Sequence, residues 1–345
     1  MNFELAPPWS DGLRVFARGL IESIRRANGD NVEIRKLDGE IKNDYDFVHV
    51  ISGSPMLISK VAKNLKNCVV FKHIITPPLG LTTALKTKIF YSIMSGFGGK
   101  IVKCFSSDFV AQSYFMQGDF VIPPSINTTD FTETLREPRR LCAVLENSKA
   151  QFGMTNMSNF EDDLVLYSGP LSIDRFPYVQ VLNGIKETKS EILIIGRNTT
   201  NNDIDSMDNI ISYARKIGIE NKIAIAVKVL TEEQKILLIN SASVVIQPFD
   251  KKIRKVAVDP PIFLLESMAC CRPVITSGAY SLETIIRNGY NGYIVDWSDP
   301  IQFSDALQNS LDNSKIGVNA RTTILDNFSV ESVSGKLRGM YNEFS

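Results

Sequence analysis

Histidine is scarce in this sequence, with two in 345 residues, His49 and His73. Cysteine is sparse too: Cys68, Cys104, Cys142, Cys270 and Cys271 show no Cys-x-x-Cys spacing, and any pairing scheme leaves one over. These shortages exclude a structural zinc site and a disulfide framework, so the chain reads as reduced and cytoplasmic. Neither charge dominates, since 38 Lys+Arg face 38 Asp+Glu; a surface coated in positive charge for nucleic acid is excluded. The longest apolar runs, near Ile192–Ile195 and Ile262–Leu265, fall far short of the roughly 20 residues of a membrane span. Met1–Leu5 carries neither the basic start nor the apolar run of a secretory signal. No G-x-G-x-x-G follows the first strand-like run, which argues against a nicotinamide enzyme.

What is present is alternation. Strand-like runs at Asn31–Arg35, Asp46–Ile51, Cys68–Lys72, Lys100–Phe105 and Phe120–Ile122 are interleaved with helix-like stretches at Leu13–Ala27, Pro55–Leu65 and Asp108–Met116. In the first helix Leu13, Phe16, Ala17, Leu20, Ile21 and Ile24 keep helical spacing. From Pro123-Pro124 to about Asp163 the pattern pauses, as an interdomain connection would. It resumes at Leu164–Tyr167, with strands expected at Glu191–Ile195, Lys222–Val227, Ser243–Gln247, Pro273–Thr276 and Gly292–Val295. Alternation of this kind predicts an α/β protein of two tandem doubly wound, Rossmann-like domains, residues 1–160 and 161–327, facing a cleft that holds the ligand. At 345 residues the chain is too long for one ordinary core.

The segment Val258–Ile275 carries most of the chemistry. It reads as a loop, a helix opened near Pro260-Pro261 and a buried strand from Pro273. Free N–H groups at such a helix start, with the positive end of the dipole, suit a phosphate. Lys251, Lys252, Arg254 and Lys255 crowd the preceding loop; a solvated basic loop and a diphosphate grip are both open readings. Glu266 sits in an apolar turn, so its carboxylate must face a polar cleft or be paired. His73 ends a strand, where parallel sheets place functional groups, whereas His49 lies within Phe47–Val50 and reads as a satisfied core histidine. Gly96–Lys100 lacks the spacing of a phosphate loop. Across Leu85–Lys103, Lys86, Lys88, Lys100 and Lys103 are mixed with Phe90, Tyr91, Ile93, Met94 and Phe97. That mixture fits either a surface for an anionic membrane or a helix with its apolar face on the core.

Leu265–Ile275, Leu-Glu-Ser-Met-Ala-Cys-Cys-Arg-Pro-Val-Ile, resembles the “L-E-A-M-A-C-G-x-P-V-I” of the retaining, GT-B glycosyltransferases of family 4, relatives of glycogen synthase and sucrose synthase. Glu283–Val295 is similar to that family's “E-I-I-x-x-G-x-N-G-x-L-V”, and Val121–Asn127 to its “V-I-P-P-G-V-D”. The resemblance implies transfer of a sugar from a UDP- or GDP-linked donor to a glycan, lipid-linked or small-molecule acceptor, with the anomeric configuration retained and no metal or other cofactor. It implies a donor site of Gly12 at the first helix, Arg175, Lys252, the helix start Pro261, Ile262, Phe263 and Leu264, and Glu266 on the ribose. His73 is implied beside the reacting sugar. Phe328-Ser329 and the stretch after it, 328–345, resemble the helix that returns to the first domain.

Three positions depart from the pattern. Val258 stands where the family has its first glutamate, and Asp259, one residue on, is the substitute expected as catalytic. Pro170 replaces an arginine of the family's phosphate grip, leaving Arg175 as the cation. Cys271 replaces a helix-ending glycine. Two rival functions share the expected architecture: a nucleotide-sugar isomerase, and a sugar-binding or partner protein without catalysis.

Overall fold

The computed structural model describes residues 12–29, 32–34, 45–51, 68–94, 101–134, 141, 144–145, 148–153, 163–173, 175–197, 201–249 and 258–344. Its elements, in chain order, are α1 (Gly12–Asn28), β1 (Phe47–Ile51), β2 (Val69–Ile74), α2 (Leu81–Met94), β3 (Ile101–Phe105), α3 (Asp108–Ser113), β4 (Phe120–Val121), β5 (Ala150–Phe152), β6 (Leu164–Gly169), α4 (Tyr178–Lys186), β7 (Glu191–Gly196), α5 (Asn201–Ile217), β8 (Ile223–Val227), α6 (Glu232–Ser241), β9 (Val244–Gln247), α7 (Ile262–Ala269), β10 (Val274–Thr276), α8 (Leu282–Ile285), β11 (Tyr293–Ile294), α9 (Pro300–Asp312), α10 (Lys315–Asn327) and α11 (Val330–Asn342). Expectations at Pro55–Leu65, Gly96–Lys100 and the 251–255 loop fall outside the described residues. At the expected first strand, residues 32–34 are described and are not in a strand.

Two sheets form. The first runs β1-β2-β3-β4, all parallel, and the second β11-β10-β9-β6-β7-β8-β5. In the second, the chain builds outward from β6 through β7 to β8, then crosses to β9 on the other side of β6 and continues to β10 and β11. That reversal between β6 and β9 is the topological switch point of a doubly wound sheet, where ligands seat at the strands' C-terminal ends. β6, β8, β9 and β10 are buried along their whole length. Helices on both faces explain why these strands read as unbroken apolar runs. β5 lies upstream of residue 161 and pairs antiparallel with β8; three residues within a polar stretch give no periodicity to read.

α11 returns to the first sheet. Phe47 and Tyr341 stack with ring centroids 4.7 Å apart, and Phe71 meets Phe344 at 5.6 Å. Ser334 Oγ donates to Ser23 O of α1 at 3.1 Å. Ser329 starts α11 as its N-cap, accepting from Ser332 N. α1 passes Ser125 so closely that a Cβ at Gly19 would lie 2.4 Å from the Ser125 carbonyl oxygen, so this position needs glycine. One apolar cluster runs from Phe16 and Phe71 through Ile126 to Leu265 and Met340, linking both sheets.

Candidate active site

α7 opens at the switch point. Its N-cap is Pro261, which offers no side-chain bond to the helix start. The first-turn amides of Ile262, Phe263 and Leu264 have no acceptor within the helix, as at any helix start. At the other end the chain turns with Cys271 at φ 57°, the left-handed conformation that glycine adopts most cheaply. The cysteine therefore occupies the helix-ending glycine position and keeps its geometry.

Glu266, 1% exposed, is paired with Lys235 Nζ from α6, itself 7% exposed. That ammonium also lies 4.9 Å from the Phe131 ring centroid. Arg197 follows β7; its Nε donates to Ser168 Oγ at the end of β6 at 3.0 Å, and its guanidinium sits 4.6 Å over Phe263 in the first turn of α7. Its Nη2 is buried without a partner among the described residues. Burial lowers the Arg197 pKa, and the charge of Glu266 opposes that shift. Arg197 and Lys235 are two cations around one carboxylate, which leaves positive charge unspent beside free helix amides. Such a cluster suits a phosphate.

The remaining expected residues are distributed as follows. Gly12 opens α1. Arg175 lies in the turn after β6, its N–H bonded to Ser172 O at 2.8 Å. Lys252 is outside the described residues. His73 is 1% exposed near the end of β2, with Nε2 2.8 Å from His49 Nδ1 and Nδ1 without a partner among the described residues. Two residues on, Ile75 O accepts from Asp259 N at 3.0 Å, so the β2 end abuts the approach to α7.

Asp259, fully buried, accepts from Ser107 Oγ at 2.5 Å, from Ser281 N at 3.2 Å and from Ser281 Oγ at 3.1 Å. Burial raises its pKa while these hydrogen bonds lower it. Both oxygens thus engage protein donors, and they clamp the N-cap of α3 to the segment after β10. Pro261 caps α7, so Asp259 is not that helix's cap. A cavity of about 590 Å³ adjoins this clamp, lined in part by Ser107, Pro260, Tyr280, Glu283, Arg287 and Lys336. Its lining includes none of His73, Arg197, Lys235 or Glu266.

Arg197 and Lys235 were not singled out from the sequence. Arg197 follows a strand-ending Gly196, a position that the strand-end rule flags. Lys235 gives no local signal, because a lysine in a helical run normally faces water. Among the described residues no cluster of three or more His, Cys, Asp or Glu could hold a metal, and no helix is long and apolar enough to cross a membrane.

Comparison with known proteins agrees with the resemblance read at Leu265–Ile275 and Glu283–Val295. Residues 178–323 match the family Glycosyl transferases group 1. The chain is 23% identical over 253 residues to alpha-1,3/1,6-mannosyltransferase ALG2 of Dictyostelium discoideum, covering 68% of this chain and 58% of that protein. It thus spans less than two thirds of that relative's length. Its structure resembles a crystal structure of a glycosyltransferase from Rickettsia africae ESF-5 with TM-score 0.68, at 18% identity over 98% of this chain and 83% of that one. It also resembles Anabaena Alr3699/HepE in complex with UDP and glucose, with TM-score 0.64, at 11% identity over 87% of this chain and 79% of that one. Residues 178–323 thus match the glycosyl transferases group 1 family, in a chain whose α/β fold is shared with these solved glycosyltransferases.

Proposed function

We propose that the protein is a retaining glycosyltransferase that moves a hexosyl group from a UDP- or GDP-linked donor to a glycan or lipid-linked acceptor, without a metal. The observation that carries this reading is the buried Arg197 guanidinium with an unpartnered Nη2, beside Lys235 and the open start of α7. In this reading Arg197 supplies the cation that Pro170 cannot. As the glycosyl–phosphate bond breaks, negative charge grows on the leaving diphosphate, and fixed cations and amides in a dry site favour that charge more than the ground state. Lys235 holds Glu266 in place for the ribose hydroxyls. His73, near the end of β2, hydrogen-bonds the sugar. Asp259 acts by holding the segments after β3 and β10 together. Support for a UDP donor comes from the Anabaena neighbour, solved with UDP and glucose.

The acceptor side is proposed to touch an anionic membrane through α2. Leu81, Leu85, Ile89 and Ile93 recur every fourth residue and are 59%, 43%, 58% and 55% exposed, beside Lys86 and Lys88. Ala84 and Tyr91 of the same helix are buried, so α2 is apolar on both sides.

The test is a thermal-shift panel of nucleosides, nucleoside diphosphates and nucleotide sugars, with product analysis in the presence and absence of acceptors and of a chelator. A ligand at about 100 times its Kd adds ~2.7 kcal/mol of stability. Diphosphates should stabilise and plain nucleosides should not, and Arg197→Met should weaken the diphosphate by ~1.5–3 kcal/mol. An isomerised nucleotide sugar without acceptor would replace the transfer reading with the isomerase; no turnover at all would leave a binding protein. Equal diphosphate binding by wild type and Arg197→Met would remove Arg197 from the site.

A further inference from the structure

The cavity beside the Asp259 clamp lies apart from the donor cluster and is walled by both halves of the chain. Ser107, Phe109 and Gln112 line it from α3 and its cap, and Tyr280, Arg287 and Tyr290 from the segment after β10. Asn327 of α10 and Lys336 of α11 complete it. Its volume of about 590 Å³ falls within the ~300–1,000 Å³ of small-molecule sites. The turn that carries its aromatic wall is strained. Tyr280 sits at φ 58°, a left-handed conformation that glycine takes freely and a bulky side chain seldom does. Both flanks of the turn are pinned. Trp297 Nε1 donates to Ser277 Oγ at 2.9 Å, and Ser281 N and Oγ both donate to Asp259 Oδ1. Strain of this kind persists where neighbours over-determine it, and it gathers at ligand clamps. Here it places an aromatic ring between the two halves: Tyr280 meets Phe109 edge to face with centroids 5.7 Å apart, and Phe249 at 5.9 Å.

The charges around the cavity are mixed, with Asp108, Glu283 and Asp326 set against Arg287 and Lys336. Neither a polyanion nor a polycation is matched by such a lining. Carboxylates accept, the guanidinium and ammonium donate, and the Gln112 amide does both. A sugar offers the complement: hydroxyls that donate and accept, and a C–H face whose partial positive charge suits the negative face of an aromatic ring. We propose that this cavity is a saccharide subsite for an uncharged oligosaccharide, with Tyr280 as the residue that sets its specificity. Pro260 lines the cavity and the next residue, Pro261, caps α7. The subsite therefore adjoins the phosphate seat and is placed for the unreacting sugars of a glycan acceptor. That placement rests on the transfer reading above; saccharide binding does not.

The test is binding of maltotriose, cellotriose and mannotriose to the full chain by saturation-transfer NMR and calorimetry, beside the matching monosaccharides. At least one trisaccharide should bind, and more tightly than its monosaccharide. Tyr280→Gly should weaken it by about tenfold, while Tyr280→Phe keeps the ring and should keep most of the affinity. Glycine takes this φ without strain, so the turn survives the change. No binding of any trisaccharide, or equal binding by wild type and Tyr280→Gly, overturns the proposal. If Tyr280→Gly melts early, Gln112→Ala and Arg287→Met replace it. Both side chains are exposed, and each loss should weaken the trisaccharide by about fivefold, the size of one ordinary hydrogen bond; no weakening in either overturns the proposal. As an acceptor, the trisaccharide should show a lower KM than its monosaccharide, and Tyr280→Gly should erase that advantage. A trisaccharide that binds through Tyr280 without accepting sugar assigns the subsite to a free saccharide and overturns the acceptor placement. If wild type binds the trisaccharide but no nucleoside diphosphate, the transfer reading falls and the subsite stands.

Discussion

The two sheets bring their functional groups together by different means. Around the second, Ser168, Arg197, Lys235, Phe263 and Glu266 all come from one stretch, β6 to α7. Around the first, a chain of hydrogen bonds joins His49 from β1, His73 from β2 and Tyr341 from α11, across 292 residues of sequence. The charges of the second cluster all come from one folding unit; the first cluster exists only when distant segments meet. On the proposed function, the phosphate side is carried by a local motif, whereas the sugar side depends on tertiary assembly.

That contrast breaks most visibly at Lys235. Lys235→Met leaves the buried Glu266 carboxylate without its ion-pair partner, which should cost ~3–5 kcal/mol. Lys235→Met combined with Glu266→Leu should regain most of that stability, because well-packed apolar residues replace a buried ion pair at little cost. Melting curves check both. If the double variant also binds a nucleoside diphosphate as wild type does, the pair serves folding alone and the second cluster loses its functional half.

A smaller effect is expected at the clamp between the sheets. Asp259→Ala abandons the donors of Ser107 and Ser281 and should cost ~1–3 kcal/mol. Asp259→Asn keeps one accepting oxygen and should lose less, with transfer activity following stability. An Asn variant of normal melting temperature and no turnover would instead mean that Asp259 touches the sugar.

The smallest effect sharpens the first-sheet side through pH. The folded His49 pKa is depressed to about 3 from 6.5, so below about 6.5 the unfolded chain binds a proton that the folded chain refuses. Stability is then full above that pH and falls as pH drops through the window toward 3. His73, depressed in the same direction, adds to the slope. His49→Gln should flatten the dependence of melting temperature on pH between about 6.5 and 4. An unchanged slope would show that the rings take up protons in the folded state.

Much of the second sheet was legible because its strands are buried on both faces: Leu164–Tyr167, Lys222–Val227 and Ser243–Gln247 stand out as apolar runs with little competing pattern. β1 is mostly half-buried and still showed, through its β-branched residues. The site was legible where a motif is contiguous, as at Leu265–Ile275, and illegible where burial inverts a residue's usual role. Lys235 looks like a surface lysine until Glu266 is seen against it, and His49 looks like core until Tyr341 arrives. At Asp259 nothing local announced Ser107 and Ser281 as its partners.

The return of α11 to the first sheet also orders events during synthesis. Val333, Leu337, Met340 and Tyr341 share one apolar cluster with Phe16, Leu20 and Phe71. Until residues 330–342 leave the ribosome, α1 and the β1–β2 face lack their cover. Vectorial folding normally completes the earlier domain first. Here the segment from β6 to α7 can bury its strands while the earlier sheet still waits with an open apolar face, which makes that sheet the part of the nascent chain most in need of a chaperone.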